Sequence, residues 1–477
     1  MARSFKILGL IVLTFLIVWA IVIIQWQQTR RMPDTRDIVL YLVALPIGLL
    51  LMFWGLKTGI DRMRQPPPAV EASADPQAAA TEQAQAAQAR ERTLTARVLA
   101  QAVALPAGAD AAAAIEALRD PGTRPELDKE FTNADGFPIA VARLQDIAPD
   151  DEALRDELDA LSPGLAWQPT TVRAVAALDT VLMQALDLVN AALPEPPDEA
   201  LPRARRPEPL TLRVTTFVSN DRMPENERQL LARWVLQRCV GALDERRARA
   251  QVSVAPVRNG TDALLAIDRW IVNAHKREEQ EVLLALAADS LVAQHTIDEL
   301  AAQHALFGPE QSNGRVPGEA AAALAIARPE AALQWPELDV RLHRIGLGKR
   351  DKSADASGRI AADLHATLAR QCLEVAQVQG SDIKLVYTDI DHRASRGVEL
   401  GALMNELLPE LDPIEDRCAL GVGCGDTGAA AGLATLALAT AAALDNEEPA
   451  LVLSSFDAFD RAATLVRRMP PPPPAAT

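Results

Sequence analysis

Cys424 and Asp426 stand two residues apart in 421-GVGCGDTG-428. A glycine-rich turn of this kind can present a thiol as a nucleophile beside an acid. The plainer role for the same spacing is a small buried cysteine followed by Asp426 as a helix N-cap with Thr427. His392 lies close to Asp389 and Asp391, a grouping that suits a proton acceptor, a weak metal site or an ordinary solvated loop. Asp457 and Asp460 have the spacing of paired acids or of an exposed loop, and 243-LDERRARA-250 reads as a solvated helix end. The four cysteines, Cys239, Cys372, Cys418 and Cys424, are too scattered for a disulfide framework or a zinc ribbon. The six histidines form no HExxH or other ligand spacing, so no metal and no cofactor is expected. With 48 Lys and Arg against 64 Asp and Glu, the net charge is −16. No basic surplus exists to replace phosphate counterions, which argues against nucleic acid as a partner.

These residues must be placed by the rest of a 477-residue chain. Residues 7–24 are apolar apart from Thr14, and residues 38–56 carry no charge. Each run is long enough to cross a hydrocarbon core of about 30 Å, and together they read as a transmembrane hairpin over 1–64. A cleaved signal peptide is the alternative for the first run alone. Arg3, Lys6, Lys57, Arg62 and Arg64 flank the pair, against Arg30, Arg31 and Arg36 between them. That five-to-three bias favours both ends, and the large C-terminal part, on the cytoplasmic side of the membrane. Residues 65–91 are rich in Pro, Ala and Gln and read as a semi-rigid tether. Residues 469–477 hold five consecutive prolines, Pro470 to Pro474, and read as a solvated disordered tail or a polyproline ligand. Another Pro/Arg-rich stretch, 194-PEPPDEALPRARRPEP-209, marks a surface crossing.

Between 92 and 468, strand-like and helix-like segments alternate. The patterning predicts strands over 97–105, 211–218, 252–257, 281–287, 339–346, 383–388, 418–423, 450–455 and 462–467. It predicts helices over 110–119, 172–193, 225–243, 262–275, 358–377, 398–409 and 427–443. The last of these is apolar nearly all round, and a soluble helix with no polar face must be buried on all sides. At 17 Ala-rich residues it is a poor third membrane span. The expected class is α/β, with sheets on both sides of buried helices in αβαβα layers.

This order of elements resembles the thiolase-like fold, and within it the β-ketoacyl synthases. The segment 97-RVLAQAVALPAG-108 is similar to that family's opening strand, and 281-EVLLALAADSLV-292 to the strand and acidic bend after its nucleophile helix. The segment 317-PGEAAAALAIA-327 resembles its Gly-Glu-Gly-Ala strand, and 425-GDTGAAAGLATL-436 its Gly-His-x-x-x-Ala-Ala-Gly helix start. The segment 455-SFDAFDRAATLV-466 resembles its Gly-Phe-Gly-Gly loop and last strand. The resemblance implies a cysteine nucleophile at a helix N-terminus, but that position, in 259-NGTDALLA-266, holds Thr261. The first histidine position falls at Thr388 or Asp389 in 385-LVYTDIDHRASRG-397. The second is Asp426, the lysine position is Gly421, and the loop that would face an oxyanion reads Asp457, Ala458, Phe459, Asp460. Two carboxylates there would repel a developing oxyanion. The resemblance therefore implies the fold without its chemistry.

A two-span anchor, a tether and a catalytically stripped body together resemble the type VI secretion lipase adaptor proteins. The segment 127-LDKEFTNADGFPIAVARL-144 also resembles that family. The resemblance implies protein partners, a lipase effector and a secretion spike protein. Two other readings stay open: a sensor of acyl chains or acyl carriers, and an acyltransferase with relocated residues at Cys424 or Thr261. A homodimer through 252-VSVAPV-257 is allowed, though Pro256 is expected to interrupt that strand.

Overall fold

The computed structural model describes residues 86–470 except 88, 146, 148–151, 197–207 and 279, together with Trp19. The expected spans at 7–24 (Trp19 apart) and 38–56, most of the 65–91 tether and the tail beyond Pro470 lie outside the described residues.

The first half of the body contains β1 (Thr95–Ala104), α1 (Ala111–Arg119), β2 (Glu126–Thr132), β3 (Pro138–Val141), α2 (Glu152–Leu161) and α3 (Pro169–Ala192). It continues with β4 (Leu210–Ser219), α4 (Glu225–Ala242), β5 (Ala248–Val257), α5 (Gly260–Arg277), β6 (Glu281–Ser290), α6 (Gln294–Ala302) and β7 (Glu319–Ala327). The second half contains β8 (Val340–His343), β9 (Gly346–Lys349), α7 (Asp363–Ala376), β10 (Val386–Thr388), α8 (Ala394–Leu407) and β11 (Arg417–Ala419). It ends with α9 (Leu420–Cys424), α10 (Ala431–Asp445), β12 (Ala450–Ser454) and β13 (Asp460–Arg468).

The main strands form one hydrogen-bonded path, β11-β10-β12-β13-β8-β1-β7-β6-β4-β5, with β9 paired to β13. Its two ends repeat one design. The triplets β5-β4-β6 and β11-β10-β12 are parallel, and each continues through two antiparallel partners, β7-β1 and β13-β8. Numbered along the chain within each half, both run 3-2-4-5-1.

Helix α10 packs on β1, β6 and β7 of one half and on β8, β10, β12 and β13 of the other. That position between two strand layers explains its lack of a polar face. Helix α5 lies beside it, and the two cross so closely that a Cβ on Gly260 would come within 2.4 Å of the Gly432 nitrogen. The core between the half-sheets includes Ile267, Ile271, Leu324, Leu436 and Val452. A second core lies under α3 and α4, and a third under α7 and α8. The layers are α3/α4, half-sheet, α5/α10, half-sheet, α7/α8. Among the described residues Gly428–Asp445 is the one helix long and apolar enough to cross a membrane, and most of it is buried in this core.

Several expectations are corrected. The two sheets are halves of a single path, because β1 pairs with β8 at Thr95↔His343 through Arg97↔Arg341. The strand expected at 418–423 stops at Ala419, and 420–424 turns into α9. The stretch expected as one strand at 339–346 is two short strands, β8 and β9. Helices α2 and α6 and the hairpin β2–β3 were not anticipated. Pro256 does not interrupt β5, which runs through it opposite Val218. The strand sits at the sheet edge, where a missing N–H is tolerated.

Candidate functional site

The residues singled out around Thr261 gather where α5, the ends of β10 and β12, and α9 meet. Asn259 caps α5, its Oδ1 accepting from the Asp262 N–H at 3.0 Å. Thr261, the second residue of the helix, is buried. Its Oγ1 lies 3.0 Å from Ser454 Oγ, at the end of β12. Ser454 donates to Asp389 Oδ2 at 2.5 Å. Asp389 Oδ1 accepts from the N–H groups of Ser455 at 2.7 Å and Phe456 at 3.0 Å. With Asp389 ionised, Ser454 spends its one proton on the carboxylate and accepts that of Thr261. The chain thus runs Thr261 to Ser454 to Asp389, and both carboxylate oxygens are occupied. Burial pushes the Asp389 pKa up, opposed by the bonds from Ser454, Ser455 and Phe456.

Of the alternatives for the first histidine position, Asp389 joins this chain, whereas Thr388 is buried one residue earlier and receives only a long bond from Ile390 N at 3.4 Å. Gly421 lies in α9 against the backbone that follows β10. A Cβ there would come within 2.8 Å of the Ile390 carbonyl oxygen and 2.9 Å of that of Asp389. Any side chain at this position would force that backbone to shift, a lysine most of all. Asp426 is buried, and its Oδ1 accepts from Gly428 N at 3.0 Å in a local turn; it is not the helix N-cap expected, because α10 begins only at Ala431, behind an Ala430 cap with no side-chain bond. Its Oδ2 lies 3.4 Å from Arg315 Nη1. The expected capping partner Thr427 leaves its hydroxyl without a partner among the described residues.

The loop after β12 differs from both readings of its sequence. Asp457 and Asp460 are half-buried and do not pair with each other. Asp457 Oδ1 accepts from Phe459 N at 2.7 Å and Asp460 N at 2.9 Å, so these amides serve the loop's own carboxylate. Against the penalty of burial, those N–H groups and the Asn259 side chain hold the Asp457 pKa down. Asp460 Oδ2 accepts from Asn259 Nδ2 at 3.1 Å, tying the loop to the α5 cap.

Cys424 is fully buried, and burial pushes its thiol up to about 12, far from a thiolate at neutral pH. Asp389 and Asp391 are buried, not loop-exposed as expected. Asp391 pairs with Arg393 at 2.7 Å, and His392 turns away to meet the Phe307 ring edge-on, with centroids 4.5 Å apart. No group of three His, Cys, Asp or Glu among the described residues is arranged to hold a metal. In 243–250, Arg247 is no free cation. It bonds to the carbonyls of Asn190, Leu193 and Pro194 and anchors the end of α3.

Sequence reasoning missed Ser454, which is visible only as the first of two serines closing an apolar strand. It also missed the buried ion network behind the loop. Arg461 pairs with Glu399 at 2.8 Å, and Arg350 reaches the same carboxylate at 2.8 Å. Arg393 and Arg396 both donate to the Phe456 carbonyl, and Arg396 pairs with Asp355 at 2.5 Å.

The body is a mixed α/β, thiolase-like domain with a ketosynthase-like scaffold. No family model matches the chain, and no curated protein matches it. Among solved structures, a ketosynthase from module 6 of the bacillaene synthase of Bacillus subtilis 168 is similar at TM-score 0.53 and 14% identity, with 79% of this chain and 73% of that one covered. The ishigamide ketosynthase/chain length factor is similar at TM-score 0.50 and 16% identity, over 79% of this chain and all of that one. A ketosynthase in complex with its chain length factor from Xenorhabdus doucetiae is similar at TM-score 0.50 and 11% identity, covering 79% and 98%. At these identities the likeness is one of fold.

Proposed function

We propose that this chain is a non-catalytic, membrane-anchored adaptor whose ketosynthase-like body binds protein, with a type VI secretion lipase effector and a spike protein as partners. The observation that carries it is the fate of the nucleophile position. Thr261 has no acidic proton, and its hydroxyl is committed to a buried chain ending on Asp389. Gly421 has no room for a side chain unless the backbone shifts, and the loop amides are taken by Asp457. Binding is supported by the β2–β3 hairpin, part of the segment that resembles the adaptor family. It forms a sheet of its own and exposes Leu127 by 69% and Phe137 by 67%. Anchoring rests on the two apolar runs of the sequence and their basic flanks, which support a cytoplasmic body.

The test compares Thr261→Ala, Cys424→Ala and Asp426→Ala in the full chain. Each should leave partner recovery and effector export intact wherever the protein folds, and the parent should release no acyl group from a thioester. Loss of function in folded Cys424→Ala, together with thiol-dependent acyl labelling, would instead establish a rebuilt acyltransferase site. An acyl ligand co-purifying with the body would favour the sensor. Alkaline carbonate extraction and a C-terminal reporter test the anchor, and a soluble chain or a periplasmic reporter would refute it.

A further inference from the structure

The seam that joins the two half-sheets carries a row of cations in register. Strand pairing sets Arg97 of β1 opposite Arg341 of β8, and Arg341 opposite Arg467 of β13. The alternate residues Ala96, Leu342 and Val466 face the core around α10, so the three arginines share the outer face. Like charges directly opposite one another on adjacent strands are destabilising. One carboxylate reaches the row. Asp339 takes one edge of the Arg341 guanidinium, accepting from Nε at 3.1 Å and Nη2 at 2.9 Å, and lies 3.3 Å from Arg97 Nε. Arg97 is further held by the Pro336 carbonyl at 2.7 Å and by stacking on Trp335 at 4.6 Å. The Arg467 side chain has neither a hydrogen bond nor an ion pair among the described residues, and its Nε is buried without a partner. Burial and repulsion by Arg341 lower its pKa.

A second observation points to a missing acceptor. His343 sits two residues along β8 from Arg341 on the same face, opposite Thr95. It is 6% exposed, and neither ring nitrogen has a partner. Burial and the nearby Arg467 and Arg341 bring its pKa down to about 4, so at neutral pH the ring is uncharged with one N–H to donate. Three guanidinium groups against one carboxylate leave an uncompensated charge of about +2 in a chain of net charge −16.

We propose that the outer face of the β1–β8–β13 seam is a binding site for a phosphate group, clamped by Arg341 and Arg467, with His343 at its inner end. Guanidinium forks match the tetrahedral oxygens of phosphate bidentately. Arg341 and Arg467 sit on directly paired positions, whose Cα atoms are about 4.5–5.5 Å apart in antiparallel ladders. The group can be free phosphate or the headgroup of an anionic phospholipid.

The test uses the full chain in an uncharged detergent at constant ionic strength. Inorganic phosphate is titrated in one arm and monomeric dihexanoyl phosphatidylglycerol in the other, each read by calorimetry and by thermal unfolding. The parent should bind phosphate and unfold at higher temperature as phosphate rises. Arg467→Gln should weaken binding at least tenfold, yet unfold no earlier than the parent without phosphate, because the repulsion with Arg341 is gone. Arg467→Lys keeps the charge without the fork and should fall between them. Arg468→Gln, on the opposite side of β13, should bind like the parent. Binding in both arms identifies a lipid headgroup, and binding of phosphate alone a soluble phosphate compound. A parent that binds neither ligand, or an Arg467→Gln protein that binds them undiminished, overturns the site.

Discussion

Asp389→Ala is the perturbation that most directly weighs the buried chain as structure. The carboxylate holds three donors, at 2.5, 2.7 and 3.0 Å. Hydrogen bonds to a charged group contribute about 1.5–3 kcal/mol each, offset by the several kcal/mol that desolvating the carboxylate costs. Truncation also strands the Ser454 hydroxyl and two amides, at about 1–3 kcal/mol for each donor left unsatisfied. The net loss should be about 3–5 kcal/mol, the size associated with breaking a buried charged network. Thr261→Val removes only the outer hydroxyl and should cost about 1 kcal/mol. Because Thr261 reaches Asp389 only through Ser454, the double variant should be less destabilised than the sum of the two. Urea unfolding of the full chain, followed by tryptophan fluorescence, measures all three. Equal losses for the two single variants would refute a chain anchored at Asp389. So would a folded Thr261→Val protein that no longer recovers its partner, since the hydroxyl would then have a role beyond packing.

Acid should destabilise the body through His365, whose pKa burial holds down to about 4, with Glu399 opposing and Arg461 and Arg350 adding to the effect. The unfolded chain takes up a proton near pH 6.5 and the folded one does not, so stability present above 6.5 is lost as pH falls toward about 4. The loss is about 3 kcal/mol at about 1.4 kcal/mol per pH unit, and His365→Gln should flatten that limb of the stability profile. Gly421→Ala should cost about 1–3 kcal/mol or more, as its methyl meets two carbonyl oxygens closer than 3 Å, and its unfolding midpoint in urea checks this. Phe137→Asp should abolish partner recovery in pull-downs while leaving the unfolding curve of the body unchanged, because the ring is largely exposed.

Most of the layered architecture is legible in apolar patterning. Strands β6 and β12 are buried along their whole length and read as apolar runs, and α10 announces its surroundings by lacking a polar face, whereas the equally buried β7 is so rich in alanine that its pattern fits either state and only the family resemblance of 317–327 marks it. Local pattern fails where glycine and small apolar residues fit either state, as in 420–424, where Leu-Gly-Val-Gly-Cys turns into a helix after a three-residue strand. It fails in β2 as well, where Asp128, Lys129 and Glu130 leave no apolar alternation. Around the site, the family resemblance singled out Thr261 and Asp426 but could not see what they touch. Asp389 and Asp391 look solvated in sequence because their compensation comes from elsewhere. Asp389 is held by backbone more than sixty residues further along the chain, and Asp391 by an arginine two residues on whose burial is set by the loop at Phe456.

The place of β1 and β13 in the sheet has a consequence for synthesis. Strand β1 is made early, yet its neighbours β7 and β8 begin at Glu319 and Val340, and β13 lies between β12 and β8. The rest of the second half-sheet cannot close onto β8, and through it onto β1, until β13 has left the ribosome at Arg468, 364 residues after β1 is complete at Ala104. At about 5–20 residues per second this is a wait of roughly 20–70 s. Until β7 and β8 are made, through His343, β1 has unpaired edges, and for the last part of the wait α10 lacks one of the two layers that cover it. Nascent chains should therefore be most dependent on chaperones in this interval, and ribosome-bound intermediates truncated before β13 should be far more protease-sensitive than the released protein.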